Sequence, residues 1–244
     1  MLNETNTLTA SLQIRRASER GQADHGWLKS AHSFSFAGFS DPNFVNYESL
    51  RVLNDDCVAS GGGFPTHPHK DFEIFSYVLS GALEHKDTLG NGSVVTKGGV
   101  QFMSTGSGVS HSEFNPSQRE DVHFLQVWLI PDKRGGKPRY ETLSSAELDT
   151  RGKLALILSG DGRNGSIRVQ QDVNIFAAYL NADEQITYTA KAGRKLWLQV
   201  AEGSLEINGE QLEAGDGVAV DHGSILLTDG HDANILLFDL APLH

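Results

Sequence analysis

Cysteine is nearly absent from this 244-residue chain, and so are the segments that direct a protein to a membrane. The single cysteine, Cys57, excludes an intramolecular disulfide and suits a reducing compartment. Residues 1–13 lack the basic segment and apolar core of a signal peptide, and no apolar run approaches the roughly 18 residues of a membrane-spanning helix. We therefore expect a cytoplasmic protein that does not enter a membrane.

Positive charge is also scarce. The chain has 20 basic and 31 acidic residues, which gives a formal net charge of −11. Nucleic acids and anionic membranes are bound through cationic patches. The composition therefore argues against direct binding of either, and a protein partner is expected to present a basic surface.

Helical periodicity is almost absent, and short alternations of apolar and polar residues separated by turns take its place. Asn91-Gly92 and Asn208-Gly209 are strong hairpin signals. Many short strands with regular turns predict an all-β fold, either a sandwich or a barrel.

A change of character divides the chain near its middle. Residues 131–150 contain two prolines, paired glycines and clustered charge, which indicate a surface connection. We predict a first domain over residues 1–135, a connection over 136–150 and a second domain over 151–244. The connection is expected to include a short helical turn capped by Ser144 or Ser145. The second domain repeats the order of strands and turns of the first in degenerate form.

Two glycine-rich segments of the first domain contain paired donor side chains. His67 and His69 are two residues apart, and so are His111 and Glu113. Because side chains two apart in a strand project to the same side, each pair can direct two donors at one point. If the two strands lie on facing walls of a barrel, three imidazoles and one carboxylate converge inside it. This set predicts a site for one divalent metal ion, with satisfied core or turn histidines as the alternative interpretation.

The choice of carboxylate is open from spacing alone. Glu73 is an even number of residues from His67 and His69, so an unbroken strand would direct all three side chains to the same side. Glu113 is likewise two residues from His111. The other histidines lack such a pairing. Those of the first domain, for which core packing or a wall position is expected, are His25, His32, His85 and His123. Those of the second, interpreted as turn or surface residues, are His222, His231 and His244.

Phenylalanine is concentrated in the first domain. The run Ser33–Phe39 predicts an aromatic core strand rather than a ligand contact. Five other phenylalanines are candidates for the wall of an apolar pocket, although most are expected in the core: Phe64, Phe72, Phe75, Phe102 and Phe114.

The donor segments resemble cupin motifs. Gly61–Gly81 is similar to the first cupin motif, with its last glycine one position late, and His111 with Asn115 matches the end of the second. Four segments resemble the pirin family more specifically: Gly62–His69, Gly106–Glu113, Pro138–Tyr140 and Gly165–Asp172. The resemblance extends over nearly the whole chain.

The resemblance implies a bicupin, in which two cupin-type β-barrels pack face to face and the amino-terminal one holds the metal. Residues 151–244 contain no His-x-His pair, in agreement with this arrangement. In pirins the position of Glu113 is a ligand, which favours His67, His69, His111 and Glu113 as the ligand set. Three histidines and a carboxylate suit Fe(II), the ion expected first, and also Cu, Ni or Mn.

The resemblance also implies an activity. Pirin-like proteins are similar in this site to quercetin 2,3-dioxygenases, which open a flavonol ring with O2. The expected substrates are therefore O2 and a flavonol such as quercetin, whose 3-hydroxyl would lose its proton to Glu113 as general base. Two alternatives remain open. One is a non-enzymatic, metal- or redox-responsive regulatory protein that acts through a protein partner, and the other is a different cupin reaction such as isomerisation.

Overall fold

Strands form most of the structure, a computed structural model that describes residues 11–243. Residues 1–10, for which no signal peptide is expected, and His244 lie outside the described residues. The first strands are β1 (Leu12–Arg15), β2 (Gly21–Asp24), β3 (Leu28–His32), β4 (Leu50–Val58), β5 (Gly63–His69), β6 (Glu73–Ser80), β7 (Ala82–Asp87), β8 (Gly92–Thr96), β9 (Val100–Ser104), β10 (Val109–Phe114), β11 (Val122–Leu129) and β12 (Arg139–Leu143). The later strands are β13 (Ala155–Ser159), β14 (Ile167–Arg168), β15 (Val173–Leu180), β16 (Ile186–Thr189), β17 (Lys195–Ile207), β18 (Glu210–Glu213), β19 (Gly217–Val220) and β20 (Ser224–Leu240).

The helices are short. Within residues 11–243 they are 3-10 turns of three residues each, at Ala17–Glu19, Ser145–Glu147 and Arg163–Gly165. No helix in this part of the chain is long and apolar enough to cross a bilayer. The predicted helical turn of the connection is confirmed, since Ser144 precedes Ser145–Glu147 and donates its backbone N–H (2.9 Å) and hydroxyl (2.7 Å) to the Glu147 carboxylate.

Two antiparallel sheets build the first barrel. One has four strands in the order β5-β10-β7-β8, and the other has seven in the order β12-β9-β6-β11-β4-β3-β2. Their inner faces meet, since Gln126 on β11 donates a hydrogen bond to Glu113 on β10. Apolar side chains fill one end of this barrel: Leu28, Val58, Val78, Leu83, Val95, Val122 and Phe124. The middle of the barrel is polar and holds the candidate site.

The second barrel is filled differently. Its nine strands form one sheet in which the long strands β17 and β20 pair with each other through several register shifts, which let them bend. The buried residues of its interior cluster are all aliphatic: Ala178, Leu180, Ile186, Leu196, Leu198, Val200, Leu205, Ile207, Leu212, Val218, Val220, Ile225, Leu227, Ala233, Ile235 and Leu237. The side chains of this cluster contribute no ligand for a metal.

One apolar core joins the two barrels. It includes Phe75 from the first domain and Phe238 from the second, whose ring centroids are 6.4 Å apart. Phe34 lies 4.9 Å from Trp197 across the same boundary. All four rings are almost completely buried, which makes this layer a major apolar contribution to stability. The predicted bicupin, two barrels packed face to face, is confirmed.

Three details differ from the sequence expectations. β1 pairs with β19, so residues 12–15 join the sheet of the second domain although they precede the first. The connection is not only a loop, because β12 extends the seven-stranded sheet beside β9. The expected strand at Ser33–Phe39 is wrong: Phe34 enters the core between the domains, and Phe36 and Phe39 close a short loop through two backbone hydrogen bonds.

Candidate metal centre

Three histidines converge inside the first barrel. β5 and β10 are antiparallel, and their register places His111 opposite His67. One ring nitrogen of each of His67, His69 and His111 can be chosen so that all three lie within 4.8 Å of one another. The centroid distances between the rings are 4.6, 4.7 and 5.0 Å. The structure thus brings together two histidines from one strand and one from its neighbour in the same sheet, whereas the sequence analysis expected the two strands on facing walls.

Local sequence explains how β5 reaches this position. β5 is an edge strand of the four-stranded sheet, where the two prolines that flank His67 are tolerated. Gly63 packs so tightly against β10 that a Cβ there would lie 2.4 Å from the Phe114 ring and 2.5 Å from the Glu113 carbonyl oxygen. This close approach requires glycine, and it precedes the histidine pair by four residues.

Two histidines of this group, His111 and His69, favour the neutral form. Burial lowers the pKa of His111 to about 3, helped by the neighbouring His67 and His85 and opposed by Asp87. Burial likewise lowers the pKa of His69 to about 4, helped by His111 and His67 and opposed by Glu113. Neutral imidazoles carry the lone pairs that a metal ion requires.

The hydrogen bonds of His67 and His111 also leave one ring nitrogen of each free to bind a metal ion. His67 Nδ1 lies 2.8 Å from the Pro65 carbonyl oxygen, so this nitrogen carries the hydrogen and Nε2 keeps its lone pair. His111 Nε2 is buried and has no hydrogen-bond partner in the described part of the chain. A buried polar atom without a partner is costly unless a ligand fills the site. The residues present therefore fit a metal ion held by imidazole nitrogens.

A histidine and a carboxylate stand behind His111. His85 Nδ1 is 3.4 Å from His111 Nδ1, and His85 Nε2 is 3.2 Å from Asp87 Oδ2. If His85 donates to Asp87, its Nδ1 accepts the hydrogen of His111 Nδ1, which leaves the lone pair of His111 on Nε2. Tyr140 stacks on His85 at 4.1 Å between ring centroids. Sequence reasoning missed this role of His85, because it depends on β7 pairing with β10.

Replacing His85 by phenylalanine is expected to weaken metal binding by about 10- to 100-fold, the usual cost of losing a hydrogen-bonded support of a ligand. Phenylalanine keeps the ring that stacks on Tyr140 but cannot accept from His111. Competition with a chelator of known affinity measures the change. His123→Phe is the matched control, because His123 is half-exposed and pairs with Asp55 instead. Equal metal affinity in the His85 variant and the wild type would refute the proposed support of His111 by His85.

Glu113 lies on the same inner face but is held by amides. Its carboxylate accepts hydrogen bonds from Gln126 Nε2 at 2.7 Å and from Gln101 Nε2. Ser76 Oγ is 3.1 Å from Glu113 Oε1. Among the described residues, the group of ligand atoms within 4.8 Å of one another contains the three histidines and not Glu113. An ionised carboxylate has about four acceptor positions, so at least one remains for a metal or a proton.

A polar row crosses the seven-stranded sheet beneath Glu113. Five side chains stand directly opposite one another on neighbouring strands, in the order His32, Asn54, Gln126, Ser76 and Gln101. His32 Nδ1 contacts Asn54 Oδ1 at 2.8 Å at one end of the row. Three of the five contact the Glu113 carboxylate. The row was not predicted, because only the strand register brings these residues together.

Glu73 lies elsewhere. β5 ends at His69, and Asp71 after it has a left-handed backbone (φ 58°). Glu73 therefore does not continue the alternation of side chains along β5, which was the reason to expect it on the inner face. Glu73 then begins β6 and accepts hydrogen bonds from Ser104 Oγ and from the Gln170 backbone N–H at 3.0 Å. Burial raises its pKa, although these hydrogen bonds oppose the shift. Glu73 therefore links the two domains.

A cavity of about 770 Å³ opens onto the histidines. Its aromatic lining consists of Trp27, Phe36, Phe39, Phe64 and Trp128, with His67 and His69 at one wall. The sequence expectation for the wall is confirmed for Phe64 alone among its five phenylalanines, because Phe75 and Phe102 pack in the core between the domains. Its size and apolar lining are typical of a site for a small organic ligand.

Two family models match the chain: the one described as pirin over residues 13–129, and the one described as quercetinase C-terminal cupin domain over residues 156–240. A protein of Escherichia coli K12 named quercetin 2,3-dioxygenase is 45% identical over 233 residues, which cover 95% of this chain and 100% of that protein. The chain belongs to the pirin family. Within the family, this pirin is similar to proteins named quercetin 2,3-dioxygenase.

Solved structures agree with the assignment. The crystal structure of YhhW from Escherichia coli has a TM-score of 0.91 to this pirin at 45% identity, and covers 96% of this chain and 99% of its own. A structure of the bacterial pirin YhhW in complex with nickel(II) has a TM-score of 0.90 at 44% identity, over 96% and 100% of the two chains.

Proposed function

We propose that this pirin is a metal-dependent dioxygenase that opens the heterocycle of flavonols such as quercetin with O2. One observation carries the proposal: three histidines converge inside the barrel, and two of them, His67 and His69, line an aromatic cavity. The names of the bacterial relatives support the same substrate class.

The proposed ligands of the metal are His67, His69 and His111, with Glu113 as the carboxylate ligand. The orphaned His111 Nε2 and the support of its Nδ1 by His85 favour the histidine part of this set. Fe(II) is the proposed ion, and Ni(II), Cu(II) and Mn(II) are compatible with the same donors. The nickel(II) complex of YhhW makes nickel the first alternative to compare.

The chain's own residues would bind the flavonol and move one proton. When bound, the metal would supply Lewis acidity that lowers the pKa of the flavonol 3-hydroxyl. Glu113, partly released from the metal, would accept that proton at the acceptor position that Gln101, Gln126 and Ser76 leave open. Trp128 lies 4.7 Å from His69 between ring centroids, so a flat ring stacked on the aromatic wall would lie beside the histidines.

Elemental analysis combined with a quercetin assay in the presence and absence of O2 tests the proposal. We expect about one divalent metal per chain, and loss of the quercetin absorbance band only when both metal and O2 are present. Protein stripped by a chelator and then reloaded with Fe(II), Ni(II), Cu(II) or Mn(II) identifies the ion. Metal-loaded protein that leaves quercetin unchanged in air would contradict the dioxygenase and favour the regulatory alternative.

A further inference from the structure

A second buried carboxyl group faces the cavity, on the seven-stranded sheet rather than on the sheet of the histidines. Side chains of β4 alternate, so that Asn54 and Asp56 are buried on the inner face while Asp55 and Cys57 are partly exposed on the outer face. Asp56 and Ser30 both line the cavity. The register places Ser30 on β3 directly opposite Asp56.

Asp56 lacks the partners that a buried carboxylate usually has. It is 3% exposed, and its side-chain hydrogen bond within the described residues is with Ser30 Oγ. Its neighbour Asp55 is paired with Arg20 at 3.0 Å and with His123 at 2.5 Å. No cation of the described chain forms an ion pair with Asp56.

Such a group is unfavourable for stability. Burial raises the pKa of Asp56 to about 7, the hydrogen bond from Ser30 opposes this, and the charges of Asp55 and Glu113 add to it. A buried carboxyl without a cation costs free energy that an apolar residue would not. A costly titratable group on the wall of a binding cavity is typical of a functional residue.

The chemistry of the wall indicates what Asp56 binds. The surrounding surface is aromatic, with Trp27, Phe36 and Phe64 near the same opening. Asp56 and Ser30 therefore form a small polar site within an apolar wall that suits a flat ring. A carboxylate accepts a hydrogen bond and a carboxylic acid also donates one, and a phenolic hydroxyl can match either form.

We propose that Asp56, supported by Ser30, binds a phenolic hydroxyl of the substrate other than the 3-hydroxyl, and so selects polyhydroxylated flavonols. The proposal rests on the proposed function, since it concerns the substrate of the same site. Asp56 is in this sense a specificity residue and takes no part in the reaction itself.

Anaerobic titration with two flavonols tests the proposal. Quercetin has hydroxyls on both ring systems, whereas 3-hydroxyflavone has only the 3-hydroxyl. Trp27 and Trp128 line the cavity, so quenching of their fluorescence reports binding without turnover. In metal-loaded protein we expect Asp56→Leu to raise the Kd of quercetin about tenfold and that of 3-hydroxyflavone less than about twofold. Asp56→Asn, which keeps hydrogen-bonding groups, is expected to restore most of the preference.

Asp55→Leu is the matched control, because it makes the same chemical change as Asp56→Leu on the outer face of β4 and should leave the ratio of the two Kd values unchanged. If Asp56→Leu does not fold, Ser30→Ala tests the same proposal. We expect it to raise the Kd of quercetin relative to that of 3-hydroxyflavone, by less than Asp56→Leu. An equal rise in the Kd of both flavonols, or an unchanged ratio of the two Kd values in Asp56→Leu, would overturn the proposal. A wild type that converts both flavonols equally well would overturn it too and leave the proposed function intact, whereas a wild type that converts neither would remove that function.

Discussion

Replacement of His111 by alanine is expected to abolish metal retention and flavonol turnover together. His111 is the buried member of the three-histidine group and the one whose Nε2 has no other partner in residues 11–243. Its removal leaves His67 and His69 from a single strand, with Glu113 as the third remaining member of the proposed ligand set. We expect a loss of affinity beyond the 10- to 100-fold typical of a support residue.

Metal content after gel filtration and quercetin turnover in air measure the two effects. His222→Ala is the control, since His222 is an exposed histidine of the second domain and should change neither. A His111→Ala protein that retains one metal per chain and converts quercetin at the wild-type rate would refute the site.

Glu113→Gln is expected to reduce turnover by about 10²- to 10⁴-fold, the range usual for loss of a general base. The three histidines should still hold the metal at saturating concentrations. A glutamine at this position keeps one oxygen acceptor, but its NH2 group would face the NH2 group of either Gln101 or Gln126, because these two donate to different oxygens of Glu113. It also cannot take up a proton.

Parallel measurement of metal affinity separates the two roles proposed for Glu113. Retained metal with lost turnover assigns the residue as base, and a fall in both assigns it also as ligand. Gln126→Glu tests the support of Glu113 from the other side, because it replaces the amide donor at 2.7 Å by a second carboxylate. Wild-type turnover in Glu113→Gln would eliminate both roles.

Spacing within one strand was enough to predict that His67 and His69 form a pair of donors. His67 and His69 share a face because successive side chains of a strand alternate, and this local rule needs no knowledge of the fold. The number of short strands and the absence of helical periodicity likewise predicted an all-β fold, a sandwich or a barrel, and the resemblance to the pirin family implied the two barrels. The same rule failed for Glu73, because it assumed one continuous strand from His67 to Glu73 and the left-handed Asp71 interrupts that strand.

Contacts between strands could not be obtained in this way. His85 supports His111 and Asp56 faces Ser30 because of the register of particular strand pairs. Register depends on turns and packing over the whole barrel, and a shift of one residue would turn each of these side chains to the other face. The polar partners of the site therefore appear only once the sheets are assembled.

The pairing of β1 with β19 means that the two barrels are interlaced. A fragment that starts after the connection would lack Leu12–Arg15 and would leave the edge of Gly217–Val220 without its neighbour. Exposed strand edges of this kind recruit other chains and promote aggregation. The carboxy-terminal barrel is thus completed by residues from the opposite end of the polypeptide, and residues 151–244 alone lack one of its strands.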